Sequence, residues 1–448
     1  MPNSAIILGC GPVGLLAQKF AWLKGAKRVI AIDHVDYRLE HARKTNNFFF
    51  LFNERRFQET PECPAIEIHT LGISLLVQER GTTAVHLVIM GIGTTVPSNR
   101  LHQQDALLRL KEALNDDPAL SRWANRIFAH CGVNTRFTCE PNLLEPAGQC
   151  RYVPASPNTM LPTTEDRMMI YRIESVPLAK EAAKKALADS NVRPDEITHL
   201  LTVSCTGMFL PGIDAELVWE LDLPADVIRI PLTFMGCAAG LSALREARRI
   251  VLSDPSARVL VVTIELCSIH IQPSFEKEHL FTAAFFGDGA SSCVVGMTDS
   301  PQKGGFTMVE SEAILFPGSA DKMKWTIGNY GFRLQLSPQI PQLIAEFVPS
   351  AFKSFWGKDA SPELWAIHPG GRAIIDTLET AFSLTGLQTE ASRSVLRDYG
   401  NMSSATILFV LEELRKQQVR TKNDAATGIA LAFGPGVTAE FMRFTYQA

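Results

Sequence analysis

From residue 85 onward the chain alternates between short apolar runs and longer stretches whose apolar positions recur every three or four residues. Runs at 85–91, 198–204, 257–265, 290–296, 364–367 and 428–433 are bounded by turn residues and predict buried strands. Helical spacing predicts helices over 101–114, 167–187, 237–253, 341–352, 372–383 and 404–417. Strands that are apolar on both faces and alternate with helices predict α/β layers around a largely buried sheet. A polar stretch carrying Gly and Pro, 299–305, divides this region into two halves, 85–300 and 301–448. No internal repeat is visible along the chain.

The first residues follow a different plan. Ala5-Ile6-Ile7-Leu8 reads as a strand, and Gly9-Cys10-Gly11-Pro12-Val13-Gly14 follows at once, satisfying G-x-G-x-x-G. A helical stretch, 15–25, leads to a second strand, 28–32, that ends at Asp33. This order supplies a tight glycine turn, a helix N-terminus for a pyrophosphate and an acid for ribose hydroxyls. Residues 4–46 resemble the nucleotide-binding half of medium-chain alcohol dehydrogenases. The resemblance then stops: 47–84 reads as a linker of irregular sequence, and no third strand–helix unit is evident. Two strands and one helix cannot bury a core alone. Gly9, Gly11, Gly14 and Asp33 are therefore read as a vestigial dinucleotide motif in a partial Rossmann-like fragment. An NAD-dependent dehydrogenase is the rival reading.

Composition narrows the function classes. Hydrophobic residues make up 46% and charged residues 20%, values of an ordinary globular chain. Net charge is −4 and no basic stripe occurs, which argues against a nucleic-acid partner. No apolar run is long enough to span a bilayer, and no signal peptide is expected. The nine cysteines are odd in number, irregularly spaced and lack a C-x-x-C pair. That pattern supports neither a disulfide framework nor a metal site, and fits a reducing, cytoplasmic compartment.

Three residues carry candidate chemistry. Cys237 lies between a strand-like run ending near Phe234 and apolar residues at helical spacing, Leu241, Leu244, Ala247 and Val251. A thiol at the positive end of a helix favours thiolate, yet a free cysteine is also a common core residue. His368 ends an apolar strand and begins His368-Pro369-Gly370-Gly371, where α/β folds gather ligands; a structural histidine is the alternative. Asn401 precedes a helix with Ile407, Val410, Leu411 and Leu414 on its inner face. It either caps that helix or leaves the cap to Ser403 and Ser404.

Taken together, Phe234-Met235-Gly236-Cys237, His368-Pro369-Gly370-Gly371 and Gly400-Asn401-Met402-Ser403-Ser404 resemble the Cys-His-Asn motifs of type III polyketide synthases, in family order. Phe286-Gly287-Asp288-Gly289-Ala290 resembles the family's F-G-D-G-A. Ala432-Phe433-Gly434-Pro435-Gly436 resembles its G-F-G-P-G loop, with Ala in place of the first Gly. The similarity runs from about Val85 to the end. It implies a thiolase-like αβαβα sandwich of two similar halves, a homodimer, and acyl-CoA and malonyl-CoA as substrates with no cofactor or metal. It implies that Cys237 carries the acyl chain while His368 and Asn401 drive decarboxylative Claisen condensation. Phe286, Cys205, Leu210, His270, Trp325, Leu334, Ser403, Gly434 and Pro435 are expected at the substrate cavity. Arg126, Gly370, Gly371 and Ala373 are expected at coenzyme A.

Departures from the family pattern shape the expected product. Of the basic residues at the coenzyme A mouth only Arg126 is retained, with Trp123 and His130 at the flanking positions. Leu334 stands for a gatekeeper aromatic, and Trp325 for a small residue of the plant enzymes. Cys205 resembles microbial members and is read as tunnel wall. These differences favour a microbial-type enzyme making alkylpyrones, alkylresorcinols or small phenolics. A ketoacyl synthase III-like condensing enzyme is the nearer rival, but its histidine sits in a His-Gln-Ala-Asn context. A chimera inactivated by its N-terminal segment is a third reading.

Overall fold

In the computed structural model the described residues are 4–8, 28–32 and 50–52, followed by 86–447 without 115–116, 153–159, 273–275, 301–303, 358–360 and 422–424. The chain divides into two compact units, Met1–Thr82 and Thr83–Ala448. In the first unit, β1 (Ser4–Leu8), β2 (Arg28–Ile32) and β3 (Phe50–Phe52) pair in parallel, with Ile6 opposite Ile30 and Ile30 opposite Phe50. The sequence reading had no strand at β3. Gly9, Gly11, Gly14, Asp33 and the expected helix at 15–25 lie outside the described residues.

The second unit is built on a nine-stranded sheet. Its strands are β4 (His86–Thr95), β7 (His199–Ser204), β8 (Ile228–Thr233), β9 (Val259–Leu266), β10 (Asp288–Thr298), β11 (Gly305–Leu315), β14 (Leu364–Ile367), β15 (Ala425–Gly434) and β16 (Thr438–Gln447). The spatial order is β14-β15-β16-β11-β4-β10-β9-β7-β8. Two short two-stranded sheets stand apart: β5 (Asn99–His102) with β6 (Thr135–Thr138), and the hairpin β12 (Met323–Gly328) with β13 (Gly331–Leu336).

Every residue of β9 is buried, because helices cover the sheet on both faces. Alternate side chains enter different cores. Val259 and Val261 pack with Ala243, Leu244, Ala247, Ile407, Val410 and Leu411 from the helices Ala239–Ser253 and Thr406–Thr421. Leu260, Val262 and Ile264 pack with Ala179, Ala182, Ala183 and Leu187 from the helix Thr164–Ser190. This last helix lies so close to β4 that a Cβ on Gly93 would overlap the backbone at Ala182 and Ala186.

The sheet carries the repeat that the sequence conceals. β4 and β11 open the two halves and are antiparallel neighbours at the junction. Outward from β4, the pairings with β10 and then β9 are antiparallel, and the next, with β7, is parallel. Outward from β11, β16 and β15 follow antiparallel, and β14 is parallel. The first half adds β8 at its edge. Each half also sends one helix into the shared core from a 3-10 turn: Gly236–Ala238 before Ala239–Ser253, and Ser403–Ala405 before Thr406–Thr421. This is the thiolase-like α/β arrangement.

Three expectations shift. The helix expected at 101–114 begins at Gln103, because Leu101 and His102 pair with Arg136 and Thr135. The helix expected from Cys237 begins with the 3-10 turn. The helices Pro118–His130 and Gly386–Tyr399 and the strands β11 and β16 had no counterpart in the sequence reading.

Candidate active site

The turn after β8 sets Cys237. Phe234 and Gly236 have φ values of 56° and 68°, which fold the chain sharply between strand and helix. A side chain at Gly236 would run into the Pro435 ring, so the turn and the loop after β15 fit only with glycine there. Cys237 follows in the first turn of the buried helix. Burial pushes its thiol up to about 11, while hydrogen bonding to Ser403 and Asn401 acts the other way.

His368 continues the line of β14, its N–H donating to Leu431 O at 2.7 Å. It is 1% exposed, and neither ring nitrogen has a hydrogen-bond partner among the described residues. Burial pushes it down to about 3. Burial thus disfavours the charged form of each group taken alone.

Asn401 is held from four sides. Its N–H donates to Phe285 O at 2.9 Å, and its C=O accepts from Gly287 N at 3.1 Å. Its Oδ1 accepts from Ser403 N at 2.8 Å, so the amide orientation is fixed. The Nδ2 group then faces Gly370 O at 3.2 Å and Cys237 Sγ at 4.0 Å. The alternatives posed by the sequence are thus reconciled: the oxygen closes a local turn and the NH2 looks into the site.

These groups share a cavity of about 790 Å³. Cys237, His368 and Asn401 line it, as do Phe286, Ser403, Pro435, Cys205, His270, Trp325 and Leu334. Arg126, Gly370, Gly371 and Ala373 line it too, together with Trp123 and His130. Two of the expected residues do not line it within the single chain. Leu210 is 91% exposed and does not line the cavity of its own chain, because the loop after β7 turns it outward. Gly434 is not among the lining residues either, and a side chain there would crowd Ala238 and Met235 O. The sequence reading missed Phe332, Cys267, Phe285 and Arg372, which do line it. Arg372 had a signal, since it directly follows Gly371 at the start of the helix Arg372–Phe382.

The hairpin β12–β13 forms one wall, with Trp325, Phe332 and Leu334 facing in. Trp325 Nε1 donates to Cys205 O at 2.6 Å. Gln272 Nε2 donates to Tyr330 O and Phe332 O, each at 3.0 Å. His270 Nδ1 accepts from Phe332 N at 3.0 Å, which leaves the proton on Nε2 for Thr206 O at 2.6 Å. Burial pushes His270 down to about 3, and its ring stacks on Phe332 at 4.3 Å. Cys205 Sγ lies 3.4 Å from the buried carboxylate of Glu265 and 3.3 Å from Ser403 Oγ. Burial and that carboxylate raise the Cys205 thiol well above its ordinary value.

Among the described residues no cluster of three or more His, Cys, Asp and Glu could hold a metal ion. No helix among them is long and apolar enough to cross a membrane.

Two family models match the chain. Residues 77–299 match the N-terminal domain of chalcone and stilbene synthases, and residues 307–445 match the C-terminal domain. The chain belongs to the chalcone and stilbene synthase family. The interval between the two matches contains most of the polar stretch at 299–305. An alpha-pyrone synthesis polyketide synthase-like protein, Pks18 of Mycobacterium tuberculosis, is 33% identical over 84% of this chain and 95% of its own length. Type III polyketide synthase A of Arabidopsis thaliana is 32% identical over 81% of this chain and 93% of its own. The crystal structure of PKS-I from the brown alga Ectocarpus siliculosus superposes with a TM-score of 0.74 at 27% identity, covering 81% of this chain and 99% of that one. The C-terminal type III polyketide synthase domain of Steely1 from Dictyostelium gives 0.71 at 27% identity, covering 81% and 100%. The chain is a type III polyketide synthase, an acyltransferase that joins acyl units by condensation.

Proposed function

We propose that Cys237 takes the starter acyl group from an acyl-CoA and that His368 and Asn401 act on malonyl-CoA. The observation that carries this reading is the convergence on one apolar cavity of a thiol, an unpartnered buried imidazole and an oriented amide. As the thiol attacks the thioester carbonyl, its proton passes to His368 and coenzyme A leaves. Burial opposes either ion alone, whereas the thiolate and imidazolium formed together are mutually neutralising. Malonyl-CoA then loses carbon dioxide, and its thioester oxygen takes up the charge. The Asn401 NH2 and the His368 ring are the donors for that oxygen. The enolate carbon attacks the Cys237 thioester and expels the Cys237 thiolate, leaving the extended chain on coenzyme A; its return to Cys237 with release of coenzyme A allows repetition to lengthen the chain. The substrates are CoA esters and the scheme uses no metal or further cofactor.

Trp325, Leu334 and Phe332 make the cavity wall bulky and apolar, which favours an alkyl chain over a planar aromatic starter. A pyrone is the product we favour, in keeping with the name of the Mycobacterium relative. A homodimer is proposed from the exposed edge strand β8 and the outward Leu210. The free thiols of the described cysteines fit a reducing, cytoplasmic setting. The ribose-and-pyrophosphate reading of Gly9 to Asp33 remains a vestigial motif in this proposal.

The test is mass spectrometry of products formed from malonyl-CoA and a panel of acyl-CoA starters, with Cys237→Ala alongside. Pyrones or phenolics that vanish in the variant are expected. A single ketoacyl condensation, or products unaffected by the substitution, would sink the proposal.

A further inference from the structure

Arg136 does not line the cavity, yet it touches both segments that flank it. It stands on β6 and is 1% exposed. Its aliphatic stem passes between two glycines. A Cβ on Gly287 would lie 3.3 Å from Arg136 Cβ, and one on Gly400 would lie 2.8 Å from Cγ and 3.2 Å from Cδ. Gly287 directly follows Phe286, and Gly400 directly precedes Asn401. Beyond the glycines, Nη1 donates to Ala283 O at 2.6 Å and to Phe286 O at 3.0 Å. Both protons of one nitrogen are thereby committed to the chain that carries Phe286. That chain and Asn401 are themselves joined by the reciprocal bonds Asn401 N to Phe285 O and Gly287 N to Asn401 O. The charge of the guanidinium is offset by the buried Asp288 carboxylate, whose own oxygens are occupied by Cys139 N, Ser268 N and Ser268 Oγ.

We propose that Arg136 is a positioning residue for decarboxylation: it fixes the Phe286 ring and the Asn401 amide as one rigid unit. The proposal rests on the reading above, in which Asn401 acts on the malonyl thioester. Donors to a developing oxyanion work only within about 2.7–3.1 Å, and a displacement of about 1 Å costs roughly a hundredfold in rate. Cys237 comes from the turn after β8 and makes no contact with Arg136 among the hydrogen bonds described. Acyl loading is therefore separable from decarboxylation. Lysine keeps the charge opposite Asp288, but its side chain is one atom shorter and its nitrogen stops short of the Nη1 position that bonds both carbonyls. Methionine removes the charge and leaves Ala283 O and Phe286 O without this donor.

The experiment uses the full chain with Arg136→Lys, Arg136→Met and, beside them, Asn401→Ala. Three quantities are read on each preparation: acylation of Cys237 by intact-protein mass, carbon dioxide release from labelled malonyl-CoA, and thermal unfolding. The expected result is a loss of carbon dioxide release of roughly ten- to a hundredfold in Arg136→Met. A smaller loss is expected in Arg136→Lys, with acylation retained in both. Acylation falling in step with carbon dioxide release would overturn the proposal, as would unchanged release. If Arg136→Met fails to fold, Arg136→Lys carries the test alone. Unimpaired release in Asn401→Ala would instead defeat the reading of Asn401, and is scored separately from the Arg136 variants.

Discussion

At the scale of single residues, the site is organised by what each side chain lacks. Among the described residues His368 has no hydrogen-bond partner for either ring nitrogen, and burial pushes Cys237 toward the neutral thiol. A helix start and an apolar wall pull the thiol in opposite directions, and here burial wins. The consequence is measurable. Alkylation of Cys237 by iodoacetamide, followed by intact mass against Cys237→Ala, is expected to be slow at neutral pH. Its rate should climb as pH rises toward the thiol value of about 11. A plateau already reached below pH 7 would reveal a standing thiolate–imidazolium pair and refute the neutral resting state. The three reactive residues were legible in the sequence because each lies in a short motif whose turn chemistry is local. The cavity residues were less legible. Leu210 and Gly434 sit in suitable motifs, but their direction depends on how a loop leaves the sheet, and no nearby residue encodes that.

At the scale of elements, strands buried on both faces were read correctly because helices cover them and leave runs dominated by apolar residues. β16 was missed for the converse reason. It carries Glu440, which is buried, accepts from Ser242 Oγ at 2.7 Å and pairs with Arg245 at 2.9 Å. A charged residue inside a strand breaks the apolar pattern, and its partners lie on a helix far away in sequence. Close packing supplies a sharper test. The helix Thr164–Ser190 rests directly on β4 at Gly91 and Gly93, where its backbone at Ala182, Ala186 and Ser190 closes on the glycines. Gly93→Ala forces a methyl group against helix backbone that cannot rotate away. Overpacking of this kind costs about 1–3 kcal/mol. Thermal or denaturant unfolding of the variant should register at least that loss, and unchanged stability would mean that the helix can slide on the sheet.

At the scale of the whole molecule, the two halves form a single sheet with one reactive end from each. Cys237 belongs to the first half, and His368 and Asn401 belong to the second. The repeat was illegible in the sequence because it is conserved as strand direction and connection, not as residue type. Among the described residues β8 has no strand on its outer side, and Leu210, Met208, Met235 and Ile228 are exposed hydrophobic residues on or near it. Light scattering at micromolar concentration is expected to give twice the chain mass, with Leu210→Asp shifting the balance toward the single chain. A monomer in the unsubstituted protein would refute the dimer.

The wall hairpin has a wider meaning. The chemistry rests on turns locked into the deepest part of the sheet, but the opposite side of the cavity is a two-stranded flap hung from Gln272, His270 and the Trp325 indole. The hairpin and the reactive turns are thus held by separate sets of bonds. A substitution at an inward-facing hairpin residue changes the room left for a chain without touching the turns that carry Cys237, His368 and Asn401.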